Sequence, residues 1–318
     1  MAKPRVALTM GDPSGIGPET IAKALPAIAG LGHIIVIGDS RVFGRACRSF
    51  KLPPDLSFDF LEMANVAPAG FAFGKVRREY GKASLEYVDE ALKLIDRGLA
   101  DCLVTCPVSK ESVNLAHKGF HGHTEYLARR AGDCPTVMML LNRCLRFGLV
   151  TTHVPLARVA GSIDGRKVRQ TVSITERSLR QWFAISRPRV AVAGINPHAS
   201  DNGVIGNEEN KVLIPALAPL KKKGLRIEGP LPADTCCARA LAGEYDAVIA
   251  MYHDQALIPL KTTDPSSGVN LTLGLPYVRT SPLHGTAFDI AGTGKASPDS
   301  LIAAVRAACR CATLQRKA

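Results

Sequence analysis

The sequence predicts an α/β fold with a largely parallel sheet, and two observations lead to this prediction. Short apolar runs rich in Val, Ile and Leu alternate with stretches of helical period along the 318 residues. This alternation is typical of strands joined by crossover helices. The length suits two compact lobes or one large unit, and 46% hydrophobic residues are enough to form a buried core.

The individual elements follow from the local patterns. The clearest helix covers 83–97, where Leu85, Val88, Leu92 and Ile95 recur on one face. Further helices are expected from about 18 and at 168–183, 208–223 and 298–311, and strands at 5–10, 33–38, 102–105, 136–141, 145–151, 189–193 and 247–251. No linker marks a domain boundary, so we expect a single unit over 1–318 whose chain crosses twice between two interwoven lobes.

Composition and charge exclude several classes of protein. The net charge is +12, but the basic clusters are dispersed and aromatic residues make up only 5%, which argues against nucleic-acid binding. A solvated basic surface and the attraction of a small anionic substrate are the two interpretations that remain. No apolar run approaches the roughly 20 residues that span a bilayer. The N-terminal residues show no signal-peptide pattern, and the nine cysteines include no Cys-x-x-Cys pair. We therefore expect a cytoplasmic protein with reduced thiols and no membrane partner.

Three histidines follow predicted strands closely, and they favour a metal site. They are His153, His198 and His253. Ligand-binding loops of open α/β sheets lie at the carboxyl ends of the strands, so the three imidazoles can converge on one crevice. With the nearby carboxylates of Asp234 and Asp254, they suit a divalent ion of borderline softness.

Two polar motifs indicate anion binding less specifically. The loop Gly11-Asp-Pro-Ser-Gly-Ile-Gly-Pro-Glu19 joins a strand to a helix, but its glycine spacing matches neither the dinucleotide fingerprint nor the Walker loop. A structural turn and a phosphate cradle both remain open for it. The motif His121-Gly-His-Thr-Glu125 opens a predicted helix, which Thr124 is expected to cap, and the exposed amides there favour an anion. A plain helix cap with surface histidines is the alternative.

Three more polar residues lie among glycine-rich turns in the last quarter of the chain. Lys261, Asn270 and Arg279 are two cations and an amide, the groups that phosphate and carboxylate need. From their positions alone, ordinary surface residues are the alternative.

Together these motifs resemble one family over essentially the whole chain, the 4-hydroxythreonine-4-phosphate dehydrogenase (PdxA) family of vitamin B6 synthesis. The matching segments, beyond the glycine loop, are Gly122-His-Thr-Glu125, Thr151-Thr-His-Val-Pro155, Asn196-Pro-His198, Gly229-Pro-Leu-Pro-Ala-Asp-Thr235, Ala250-Met-Tyr-His-Asp-Gln255, Val269-Asn-Leu-Thr-Leu-Gly-Leu-Pro276 and Arg279-Thr-Ser281.

The resemblance implies a fold and a set of site residues. The fold would be two α/β/α lobes like isocitrate and isopropylmalate dehydrogenases, with the active site in the interlobe cleft and shared across a homodimer. The implied ligands of one divalent ion (Zn, Mg or Co) are His153, His198 and His253. The implied substrate contacts are His123, Thr124, Lys261, Asn270 and Arg279.

The resemblance also implies a reaction. NAD or NADP would oxidise 4-phosphooxy-L-threonine at C3, and loss of CO2 would give 3-amino-2-oxopropyl phosphate. A proton acceptor is needed, for which Asp234, Asp254 and Lys261 are the candidates.

We expect the cofactor to be held by the loop from His284 to Pro298 rather than by the N-terminal glycine loop. Its small residues allow close approach of backbone to a flat adenine and its ribose. It resembles the adenosine-binding loop of isopropylmalate dehydrogenases, and an acidic residue near the ribose favours NAD over NADP. The expected contacts are His284, Gly285, Thr286, Ala287 and Asp289. An irregular connection before the last helix is the alternative.

Two other functions remain open. One is a dehydrogenase for another substrate, such as 4-phosphoerythronate, 4-phosphothreonate or an aromatic dihydrodiol carboxylate. The other is a metal-dependent phosphate-binding or acyl-phosphate-transferring protein on the same fold, without hydride chemistry.

Overall fold

A computed structural model describes residues 3–49 and 52–316. The strands are β1 Arg5–Thr9, β2 His33–Gly38, β3 Asp59–Glu62, β4 Cys102–Thr105, β5 Val137–Leu141, β6 Arg146–Leu149, β7 Arg189–Ala193, β8 Arg226–Leu231, β9 Ala247–Ala250, β10 Val269–Leu273 and β11 Val278–Pro282. The helices are α1 Gly17–Ile28, α2 Ser40–Ala46, α3 Arg78–Asp96, α4 Lys110–Ala116, α5 His123–Arg130, α6 Val159–Ser162, α7 Gly165–Phe183, α8 Ile214–Lys222, α9 Ala233–Leu241, α10 His253–Thr263 and α11 Asp299–Gln315. Short 3-10 turns lie at Cys47–Ser49, Leu156–Arg158 and Pro197–Gly203, and a π turn at Glu209–Leu213.

The chain divides into two compact units. Unit 1 comprises Met1–Gly132 and Pro276–Arg316, and in it β3, β2, β1, β4 and β11 pair in that order, all parallel. Its central strands are buried along nearly their whole length, because helices such as α3 and α11 pack on them. The chain therefore enters unit 1, leaves it after Gly132 and returns at Pro276.

Unit 2 is formed by Asp133–Leu275, and its strand order is β10, β5, β6, β9, β7, β8. The pairings β10–β5 and β5–β6 are antiparallel, and the remaining ones are parallel. Helix α7 packs on β5, β6 and β9, while α9 packs on β7 and β9. The consequence for function is that β6, β9 and β7 are parallel neighbours whose carboxyl ends meet at one edge.

The predicted α/β class with largely parallel strands is confirmed, and every predicted strand is present. The helix expected at 208–223 is instead a π turn followed by α8. Elements with weak periodicity were missed, among them β8, which contains Gly229-Pro230, and α10, which contains Pro259. Across residues 3–49 and 52–316, no helix combines the length and apolar character needed to cross a membrane.

Candidate active site

The three strand-end histidines lie at one edge of the unit 2 sheet. His153 follows β6, His253 follows β9 and His198 follows β7. Strand β9 lies between the other two, with Leu149 opposite Ala250 and Val192 opposite Ile249. The predicted strand-end placement is thus confirmed for all three.

The segments carrying His153 and His253 are joined directly beyond the ends of their strands. The Val150 amide donates to the Ala250 carbonyl (2.9 Å), and the Thr151 hydroxyl donates to the Met251 carbonyl (2.7 Å). The rings of His153 and His253 have centroids 5.9 Å apart. Two imidazoles that bind one ion at about 2.1 Å have centroids roughly 5–6 Å apart, so this spacing fits one metal ion bound by both rings.

The orientation of His253 is set by Asp254. Its Nδ1 lies 2.7 Å from Oδ1 of Asp254. Because an ionised carboxylate only accepts, Nδ1 is the donor, and in the neutral imidazole the lone pair then lies on Nε2. A carboxylate bonded to one ring nitrogen while the other binds a metal is a recurrent arrangement in metalloproteins.

His198 lies in an unusual backbone segment. The residues from His198 to Asn202 all have positive φ, 54° at His198 itself. The turn before it is held by the buried carboxylate of Glu209, which accepts from the Ile195 and Asn196 amides at 2.8 Å each. The strained segment is thereby fixed at the point where it leaves β7.

The side-chain amide of Gln255 joins the His198 and His253 segments. Its Oε1 accepts from the Met251 amide (2.6 Å), and its Nε2 donates to the Gly194 carbonyl (2.9 Å). Sequence analysis missed both Gln255 and Glu209, although Gln255 belongs to a quoted motif. Only the tertiary contacts reveal that these two residues position loops.

A complete metal-binding set is not assembled in the single chain. Among residues 3–49 and 52–316, no three or more His, Cys, Asp or Glu side chains are gathered so that they could hold an ion. The assembled part is His153 with His253. The prediction that His198 joins them as a third ligand stays a prediction.

The other predicted residues of unit 2 lie in different settings. Asp254 and Lys261 line one surface depression along α10, together with Leu257, Ile258 and Thr262. Asp234 is exposed in the first turn of α9. Asn270 lies on β10 opposite Leu140, and its Oδ1 is buried with no hydrogen-bond partner among the described residues. An unsatisfied buried carbonyl oxygen is suited to accept from a ligand.

A second polar group lies in unit 1, around Arg279. This arginine is 2% exposed on β11, and it donates to the Thr105 hydroxyl at 2.6 Å. Burial lowers the pKa of its guanidinium to about 10, while Tyr277 and Glu125 act in the opposite direction. A guanidinium is a strong donor to the oxygens of carboxylate and phosphate groups.

His123 lies beside this cation. Burial, and then the positive charge of Arg279, hold the pKa of the His123 imidazole well below its usual range. Its Nε2 is buried and has no hydrogen-bond partner within the described part of the chain. The structure therefore brings His123 and Arg279 together.

The expected capping role of Thr124 is wrong. Helix α5 begins at His123 with Gly122 as its N-cap, and no side chain makes a capping bond there. Thr124 is already inside the first turn, where its hydroxyl cannot reach the amides that a capping residue serves.

The loop from His284 to Pro298 lies in unit 1 between β11 and α11. His284 Nδ1 is 3.1 Å from the Gly285 carbonyl, which can only accept, so Nδ1 donates and, in the neutral imidazole, Nε2 is an acceptor. That Nε2 is buried and has no partner in the described residues. A Cβ added at Gly285 would meet no atom within 4 Å, so the loop has open space above it. These features fit a ligand with N–H donors, such as adenine.

The N-terminal glycine loop and this second loop are in contact. The Ile16 amide donates to the Thr286 carbonyl (3.0 Å), and Ile16 packs with Ala291 and Ala296. Sequence analysis treated the two loops as rival cofactor sites. In the structure, the glycine loop supports the loop at 284–298.

The chain is similar to known proteins over nearly its whole length. The model of the family described as "Pyridoxal phosphate biosynthetic protein PdxA" matches residues 31–308. A "4-hydroxythreonine-4-phosphate dehydrogenase" of Paracoccus denitrificans is 42% identical over 312 residues, covering 95% of this chain and 96% of the relative.

Two solved structures are also similar. The 4-hydroxythreonine-4-phosphate dehydrogenase of Klebsiella pneumoniae is 35% identical with a TM-score of 0.89, covering 98% of each chain. A terephthalate 1,2-cis-dihydrodiol dehydrogenase of Burkholderia xenovorans is 31% identical with a TM-score of 0.67, covering 96% of this chain and 98% of the other.

Proposed function

This chain belongs to the pyridoxal phosphate biosynthetic protein PdxA family, and we propose that it is a cytoplasmic 4-hydroxythreonine-4-phosphate dehydrogenase. The proposed reaction is oxidation of 4-phosphooxy-L-threonine at C3, with decarboxylation to 3-amino-2-oxopropyl phosphate. The observation that carries the proposal is the pair of His153 and His253 at adjacent strand ends, with Asp254 fixing the tautomer of His253.

The proposed metal ligands are His153, His198 and His253, and Asp254 orients the last of them. A bound divalent ion (Zn, Mg or Co) would lower the pKa of the substrate hydroxyl, and bound NAD or NADP would accept the hydride. Because Asp254 is engaged with His253, Lys261 and Asp234 are the better candidates to take the hydroxyl proton.

Anionic ends of the substrate need fixed cations and donors. We assign this role to His123, Thr124, Lys261, Asn270 and Arg279. The buried guanidinium of Arg279 and the buried Nε2 of His123 support the contacts to an anion, and the unsatisfied Oδ1 of Asn270 can accept from a hydroxyl or amino group of the substrate.

The nicotinamide cofactor is assigned to the loop that begins at His284. The acceptor Nε2 of His284 suits the adenine amino group, and the backbone around Gly285 leaves room for the ring. Thr286, Ala287 and Asp289 complete the proposed contacts. The exposed Asp289 favours a free ribose hydroxyl, and hence NAD over NADP.

The active form is proposed to be a homodimer in which a second copy completes the metal site. Large apolar side chains are exposed shortly after each of the three histidines: Leu156 at 74%, Val204 at 81% and Ile258 at 67%. Large apolar side chains that are exposed after these strand ends offer surface for contact with a second copy. Sedimentation that showed a fully active monomer at assay concentration would refute this arrangement.

A second candidate substrate is an aromatic cis-dihydrodiol carboxylate, because the Burkholderia xenovorans enzyme is 31% identical to this chain. We favour the phosphorylated substrate, because relatives named 4-hydroxythreonine-4-phosphate dehydrogenase reach 42% identity and a TM-score of 0.89.

The deciding experiment incubates the purified chain with a divalent ion, NAD or NADP and one substrate at a time. The substrates are 4-phosphooxy-L-threonine, 4-phosphoerythronate, 4-phosphothreonate and the dihydrodiol of terephthalate, and the reduced cofactor is followed by its absorbance. We expect the first to be turned over with the highest kcat/KM. Preference for another substrate would correct the assignment, and no reduction with any of them would favour acyl-phosphate transfer or phosphate binding instead.

A further inference from the structure

Helix α1 is bound to the loop at 284–298 by a nearly buried ion pair. The Glu19 carboxylate is 1% exposed, the Lys23 side chain is 23% exposed, and Lys23 Nζ lies 2.8 Å from Glu19 Oε1. The two residues are four apart in α1, the spacing at which helical side chains meet.

Both members of the pair also bind the same turn of the loop. Lys23 Nζ donates to the carbonyls of Gly294 (2.7 Å) and Ala296 (2.8 Å). Glu19 accepts from the amides of Gly294 (3.2 Å) and Ala296 (2.8 Å). The lysine thus uses all three of its N–H donors, and one pair of side chains binds both polar groups of two loop residues.

The loop depends on such contacts for its conformation. Between β11 and α11 it contains no helix or strand, and Ala287, Gly292 and Gly294 have φ of 42°, 74° and 79°. Burying an ion pair contributes little net stability, because desolvation offsets the attraction. The ion pair therefore fixes one conformation of the loop rather than adding to the stability of the core.

We infer that Glu19 and Lys23 are positioning residues for the dinucleotide, which hold the loop at 284–298 in its binding conformation before the cofactor arrives. This inference rests on the proposed cofactor role of the loop. A preformed loop binds more tightly, since ordering it on binding would cost conformational entropy.

The test measures NAD affinity by calorimetry and amide exchange of a peptide covering 290–300 by mass spectrometry. For Lys23→Met we expect roughly ten-fold weaker NAD binding and faster exchange of that peptide, with affinity for 4-phosphooxy-L-threonine unchanged. Lys23→Arg keeps the donors and should restore most of the NAD affinity. Glu19→Gln, which keeps acceptor oxygen, provides a milder change if Lys23→Met folds poorly.

The matched control is Lys82→Met, which removes an exposed pair with Glu86 at the same spacing on α3. Unchanged NAD affinity in folded Lys23→Met, or an equal loss in Lys82→Met, would overturn the inference. Failure of the cofactor assignment itself is recognised separately. In that case Gly285→Val, which alters the loop directly, also leaves NAD affinity unchanged.

Discussion

The Gln255 side chain donates to the Gly194 carbonyl at 2.9 Å and so ties the segment after β9 to the segment after β7. Replacing it in Gln255→Leu leaves the Met251 amide and the Gly194 carbonyl without this partner. We expect a loss of about 1–3 kcal/mol in the free energy of unfolding, and weaker retention of the divalent ion on titration with a chelator. Gln255→Glu keeps the acceptor for Met251 and serves as the partial control. Metal retention equal to wild type in Gln255→Leu would show that the histidine segments keep their positions without it.

Removing either ring of the assembled pair should abolish metal binding. His153→Ala and His253→Ala are expected to remain folded, because His153 is exposed and His253 is only partly buried. Metal content measured after dialysis should fall at least ten-fold in both. His121→Ala, an exposed histidine in unit 1, is the control. Full metal content in either variant would remove that residue from the ligand set.

Substrate binding should take up a proton at His123. The pKa of this imidazole is lowered by burial and by the charge of Arg279, so an arriving anion raises it again. Calorimetry of 4-phosphooxy-L-threonine near about pH 6.5, in buffers of different ionisation enthalpy, should report proton uptake by wild type and little uptake by His123→Gln. Heats that are identical in all buffers for the wild type would contradict the prediction.

The buried carboxyl of Asp12 should make stability depend on pH. Burial raises its pKa to about 6, against hydrogen bonds from Ser14, Ser112 and Ser109. A carboxyl whose pKa is raised in the folded protein adds to the free energy of unfolding at pH values below its pKa in the unfolded chain. This contribution is lost as the pH rises through about 6. The free energy of unfolding of Asp12→Asn, taken relative to wild type, should rise by about 2–3 kcal/mol between about pH 4 and pH 7.

Denaturant unfolding at several pH values measures this difference. The same change at exposed Asp96 removes no buried carboxyl and should give a flat difference. A flat difference for Asp12→Asn as well would show that Asp12 is ionised without penalty in the folded protein.

Gly285→Val tests the cofactor loop. A side chain there enters open space, so the fold should be kept while a ligand lying over the loop is obstructed. We expect NAD affinity to fall at least ten-fold, about 1.4 kcal/mol, with metal content unchanged. Gly30→Val, another open position in unit 1, is the control. If NAD binds Gly285→Val as tightly as wild type, the cofactor lies elsewhere.

The fold class and the position of three histidines at strand ends could both be predicted from the sequence. Apolar runs such as Cys102–Thr105 and Arg189–Ala193 are local signals, and their bounds agree with the structure. Such runs can be recognised because a strand buried on both faces must be apolar throughout. The placement of His153, His198 and His253 followed from the same signals. Their shared sheet edge, however, depends on the strand order β6, β9, β7.

Which polar groups contact each other depends on the tertiary structure. The bond of Gln255 to Gly194 joins residues 61 apart, and those of Glu19 and Lys23 to Gly294 and Ala296 join residues more than 270 apart. No periodicity encodes such contacts, because each depends on how separate segments pack. The shifted pKa values of Asp12, His123 and Arg279 could not be predicted for the same reason. Burial is the leading cause of each shift, and burial is a property of the folded chain.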